Sequence, residues 1–111
     1  MILDEFVQII KNELESKFGD IDENYKSMLI QISKVLFYFK NDSTFIDILR
    51  KSENIEEFIL DSLRFSKIII KDYESKIKII KEKEYKSFED YNFLFILDNI
   101  NNYLEIYKDL L

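Results

Sequence analysis

The chain has 111 residues, a formal charge of −6, 47% apolar and 34% charged residues, and no His, Cys, Trp or Pro. That length holds one hydrophobic core and not two, and so apolar a chain is not a disordered one. The missing Cys excludes disulfide and thiolate chemistry, and the missing His removes the commonest general base and the commonest zinc ligand.

Gly19 is the one glycine. Hairpins lean on Gly, Asn-Gly and Pro turns, whereas helix interiors avoid Gly and Pro, so the punctuation is that of long helices with short links. The chain has no Ala, which leaves helix contacts to large side chains, mostly Ile, Leu and Phe. Enrichment in Ile, Lys, Asn, Tyr and Phe fits an AT-rich genome, that of a low-GC bacterium or its phage. No apolar run reaches the ~20 residues of a membrane span. The opening MILDEF has acids where a signal peptide wants bases. A soluble cytoplasmic protein with no membrane partner is the expectation. The negative charge disfavours non-specific binding to nucleic acid and favours a basic partner.

In chain order, Ile2–Phe18 reads as a first helix with Leu3, Phe6, Val7, Ile10 and Leu14 on one face, and Gly19 is its natural stop. Asp20 or Asp22 can cap a second helix running to about Lys40, with Tyr25, Met28, Leu29, Ile32, Val35, Leu36 and Phe39 inward. Its run Val35–Phe39 is apolar all round, which requires deep burial or a covering partner. Asn41-Asp42-Ser43 breaks the pattern, and Asp42 or Ser43 can cap a short third helix with Phe45, Ile48 and Leu49 inward. Asn54 with Glu57 three residues on marks the next start.

From about residue 55 to 85 the pattern predicts one long helix, straight or bent near Asp72–Ser75. A hairpin within Ile68–Tyr85 would want a tight turn there, and that stretch lacks Gly. The last stretch, about 88–110, is the most apolar helix. Phe93, Ile96, Leu97, Ile100, Tyr103, Leu104, Tyr107 and Leu111 form its stripe, and Phe88, Phe95, Ile106 and Leu110 widen it to half the circumference. A helix that apolar is expected to be central. Ser87 followed by Asp90 is its capping box. The expected fold is therefore all-α: one domain over residues 1–111, a small antiparallel bundle of four to five helices.

Candidate chemistry is sparse. Asp20, Asp22 and Asn24 open like a calcium loop, but Tyr25 replaces the sixth-position Gly and Gln31 the twelfth-position Glu, so capping explains the acids better. Glu53, Glu56, Glu57 and Asp61 cluster at the start of the long helix, where acids complement the helix dipole. They lack the further ligands a metal needs. Arg64, Lys67, Lys71 and Lys78 follow a helical stripe, and Arg64–Lys86 holds eight bases against four acids. Such a stripe can track phosphates, but only Tyr73 and Tyr85 interleave it. The polar face of the last helix carries Asp98, Asn102, Glu105 and Asp109, with Tyr91 at its edge as an aromatic surplus to a core.

No catalytic, metal or cofactor site is expected, and no enzyme. In size and composition the chain resembles small helical inhibitor proteins of bacteria and phages, such as toxin-immunity and anti-CRISPR proteins, though no motif ties it to a family. The reading is a protein-binding module that blocks a basic functional surface of another protein through Tyr91, Asp98, Asn102, Glu105 and Asp109, with Glu53, Glu56 and Glu57. The alternatives are a nucleic-acid-binding or regulatory protein using the basic stripe, and a self-associating module that forms a homodimer.

Overall fold

A computed structural model describes residues 1–111. Every regular element is helical: α1 (Leu3–Phe18), α2 (Glu23–Tyr38), α3 (Asp42–Lys51), α4 (Ile55–Asp72), α5 (Glu74–Glu82), α6 (Phe88–Ile106) and a closing 3-10 turn, Lys108–Leu110. The body measures 44 × 33 × 22 Å. The helices pack around one continuous hydrophobic core. No helix is long and apolar enough to cross a membrane.

The helices begin where local chemistry can satisfy their orphan N–H groups. Asp22 accepts from Asn24 N at 2.8 Å, Asn54 accepts from Glu57 N at 2.8 Å, and Ser87 accepts from Asp90 N at 3.0 Å. The start of α3 departs from expectation. Asn41 holds the cap position without a side-chain cap, because its amide donates instead to Phe39 O at 2.9 Å. The other end of α3 is closed from a distance: Lys17 Nζ of α1 donates to Leu49 O at 2.6 Å and Arg50 O at 2.7 Å.

Two residues have positive φ, Gly19 at 70° and Lys40 at 60°. Gly19 carries no Cβ to resist, as the sequence predicts. Lys40 closes α2 in a Schellman turn, with Asn41 N donating to Leu36 O at 2.7 Å and Lys40 N to Phe37 O at 2.9 Å. A left-handed L-residue is strained by Cβ against its own carbonyl, at about 1–2 kcal/mol. Lys40→Gly is therefore expected to stabilise the fold by about 0.5–1 kcal/mol net of the extra freedom glycine gives the unfolded chain. Thermal and denaturant unfolding would measure it, and a loss of stability would show that Lys40 does not hold this conformation.

The centre of the bundle is α2, not the last helix. It packs against α1, α3, α4 and α6 and buries Met28, Leu29, Ile32, Ser33, Val35 and Leu36. By contrast, α6 packs on α2 and α4 and buries a narrower stripe, Phe93, Ile96, Leu97 and Ile100. Phe88, Phe95, Ile106 and Leu110, expected to widen that stripe, face solvent. One helix must be touched from several sides to be central, and periodicity reports only which residues prefer to be dry.

The long run from Ile55 takes the bent form. Tyr73 ends α4 and starts α5, and its ring stacks on Phe39 at 4.3 Å. This division raises the helix count to six. Beyond the bend, α5 buries only Ile77 and Ile80. Large side chains do not make every close contact either. Ser33, Ser62 and Ser66 are buried on α2 and α4, where small side chains let helices approach. Ser33 Oγ donates to Ile30 O at 2.6 Å and Ser66 Oγ to the Ser62 backbone O at 2.8 Å, so these two hydroxyls are satisfied within their own helix, whereas the buried Ser62 Oγ has no hydrogen-bond partner.

Candidate protein-binding face

The rotation of α6 fixes what it shows to solvent. Its start is pinned by the capping box: Asp90 Oδ2 accepts from Ser87 N and from Lys83 Nζ, each at 3.0 Å. The Ser87 backbone N–H foremost, and then the Lys83 ammonium, hold the Asp90 carboxyl below its ordinary value. With Phe93, Ile96, Leu97 and Ile100 turned inward, the 3.6-residue period sends Tyr91, Asp98, Asn102 and Glu105 outward, and all four are exposed. Asp109 is exposed in the closing 3-10 turn.

That outer face is not only acidic. Phe88 is 83% exposed, Tyr91 62%, Phe95 65% and Ile106 71%. They lie on the same side of the helix as Asp98 and Asn102. From Ser87 onward the chain holds five acids and one base, Lys108. Lys108 Nζ pairs with Glu105 at 2.8 Å, whereas Asp98 has no partner within the chain. The result is a ridge with large apolar side chains and carboxylates in one surface. Scattered exposed apolar residues need no explanation, but Phe88, Tyr91 and Phe95 follow one another at helical spacing and run on into Asp98, Asn102 and Glu105, and such a set bordered by charge is typical of a recognition surface.

The other sequence candidates are placed separately. Glu57 Oε2 accepts from Glu53 N at 3.2 Å, and Asp61 pairs with Arg64 at 3.0 Å. The two carboxylates therefore serve different partners instead of converging. Glu53 and Glu56 are exposed at the start of α4 and Glu57 is half-buried there. Arg64 follows Glu57 and Asp61 on one face of α4, and its Nη2 donates to Leu110 O at 2.9 Å. This contact ties α4 to the end of the acidic ridge. Arg64 itself stays exposed beside Asp61. Lys67 and Lys71 are exposed on α4 and Lys78 is exposed on α5, so the break at Tyr73 divides the stripe that a continuous helix would have carried. Asp22 caps α2 and Asp20 stays in the link before it. No three carboxylates converge on a point that could hold a metal ion.

One feature escaped periodicity. Between α1, α2 and α6 lies an open groove of about 680 Å³. Leu3, Val35, Phe37, Tyr38, Phe93 and Ile96 line it, and Lys34, Lys40, Asp42 and Glu89 stand around it. The signal was the all-round apolar run Val35–Phe39: its inner side chains meet the core, and Phe37 and Tyr38 are left to line the groove. Comparison of the chain with protein families, with characterised proteins and with solved structures finds no match in any of the three.

Proposed function

We propose that this chain is a non-enzymatic binding protein that occupies a basic functional surface of another protein with the outer face of α6, in the manner of an inhibitor, immunity or anti-defence protein. The observation that carries the reading is the ridge itself, where Tyr91 and Phe95 stand exposed beside Asp98, Asn102 and Glu105. Aromatic side chains supply contact area at low entropic cost, and carboxylates steer a basic partner and fix its register. On a nucleic-acid-handling surface such carboxylates would occupy places otherwise taken by phosphates. Glu53, Glu56 and Glu57 extend the negative field at the start of α4.

The test uses the full chain as bait in extracts of its own cells, at low and high salt. Native protein is expected to retain a partner that elutes as salt rises. The double variant Asp98→Lys, Glu105→Lys is expected to fold normally and lose that partner, while Lys67→Glu, Lys71→Glu keeps it. Lys67 and Lys71 are exposed and unpaired, which favours a second reading in which α4 contacts nucleic acid. Under that reading the two outcomes exchange places, and a gel-shift series gives a steep salt slope.

A further inference from the structure

We propose that the α6 ridge also docks against a second copy of this chain, in parallel, about a two-fold axis that runs along α6. The proposal rests on the ridge being a recognition surface and names a regulation of it: the paired copies cover the side chains that a foreign partner needs. Phe88, Phe95 and Ile106 are exposed and lie within about 20° of one another around α6, so they form an apolar spine. Asp98 and Glu105 flank the spine on one side, about 80–100° round the helix. On the other side Asn99 and Tyr103 lead to α2. Asn99 Nδ2 donates to Gln31 Oε1 at 2.8 Å, and Gln31 Nε2 donates to Tyr103 Oη at 3.2 Å.

Around Gln31 that second side is basic. Lys11, Lys26 and Lys34 border the polar trough between α1, α2 and α6, with Glu23 as its one acid. All three lysines are half-buried and none makes an ion pair within the chain. Two contacts set the heights of α2 and α6 against each other: Gln31 meets Asn99, and Tyr38 stacks on Phe93 at 4.2 Å. The helices are therefore antiparallel, and Lys34 and Lys26 stand within about two residues, roughly 3 Å, of the heights of Asp98 and Glu105. A two-fold axis along α6 carries the acidic flank of each copy onto the basic flank of the other. Asp98 then meets the second copy's Lys34, and Glu105 meets its Lys26. A two-fold axis across α6 would instead set acids against acids and lysines against lysines, which is costly. The parallel pair is the self-complementary one. Glu105 gives up for it an exposed pair with Lys108, which is worth little in water. The charge of −6 on each copy opposes association in general, so the complementary flanks select the partner.

Sedimentation equilibrium of the full chain tests the proposal. The native chain is expected to pass from monomer to dimer as its concentration rises. Asp98→Lys, Glu105→Lys and, separately, Lys26→Glu, Lys34→Glu should each weaken self-association by about tenfold or more. An equimolar mixture of the two variants should form a one-to-one pair at least as tight as the native dimer, because both seams then join lysine to carboxylate. The first variant carries less net charge than the native chain, so overall repulsion predicts the opposite result for it. Asn102→Cys, close to the spine in a chain without other cysteines, should cross-link to its own counterpart on mild oxidation, which an antiparallel pair does not allow. That measurement keeps both flanks native and does not depend on how the reversed variants fold. A native chain that stays monomeric at every concentration, a mixture no tighter than its components, or Asn102→Cys without a cross-link would each overturn the proposal. Capture of a basic foreign protein by a chain that stays monomeric would overturn it and leave the inhibitor reading standing, whereas a dimer that captures nothing would support it and remove that reading.

Discussion

Phe58→Ala is expected to cost about 3–5 kcal/mol of folding stability, the range for a fully buried Phe that leaves a cavity. Phe58 has no exposed surface and joins three helices through aromatic contacts. Its ring lies 6.2 Å from Phe18 of α1 and 5.3 Å from Phe45 of α3, and Phe45 in turn lies 6.5 Å from Phe6 of α1. Rings at such separations add to simple burial. Alanine removes the ring from the middle of this chain of contacts, and the neighbours sit on helices pinned elsewhere, so collapse can only be partial. A domain of this size has about 5–15 kcal/mol in total. The variant should therefore unfold at a much lower denaturant midpoint with an unchanged slope. A loss under about 1 kcal/mol would mean that α3 is not clamped between α1 and α4.

Ile100→Ala is expected to cost about 2–5 kcal/mol, and Asp98→Ala, two positions away, under about 0.5 kcal/mol. Ile100 is fully buried, whereas Asp98 is exposed and unpaired. The contrast tests the rotation of α6 about its own axis, on which the proposed binding ridge depends. Equal costs would turn the helix and withdraw the ridge. A silent Asp98→Ala that nonetheless weakens a partner would place that carboxylate in the contact.

What could be read in advance follows from how far each decision reaches along the chain. The all-helical class, the caps at Asp22, Asn54 and Ser87, and the stop at Gly19 depend on neighbours within a turn, and all are legible from spacing. The bend was legible only as one of two forms, because Tyr73 is no helix breaker and the stacking partner that fixes it, Phe39, lies far away in sequence. Which helix sits in the centre was not legible. Both α2 and α6 carry wide apolar stripes, and only assembly decides which stripe is closed from several sides. For the same reason Phe88 and Phe95 read as core and stand in water. The polar ridge residues were found because a helix with one dry face has a predictable wet one. The groove was not, since its walls come from three helices and no single period contains it. Lys40 hid its strain for a simpler reason: lysine does not announce a left-handed turn as glycine does.

The thin attachment of α5 bears on how the molecule behaves in time. Stability is spread unevenly over a folded chain, and segments that bury little open alone at small free-energy cost. With only Ile77 and Ile80 in the core and no side-chain cap at its start, α5 lies at the low end of that range. It is the helix expected to open first, while α1, α2, α3, α4 and α6 keep their shared core, and its opening would expose Ile77 and Ile80 and the part of the core they cover.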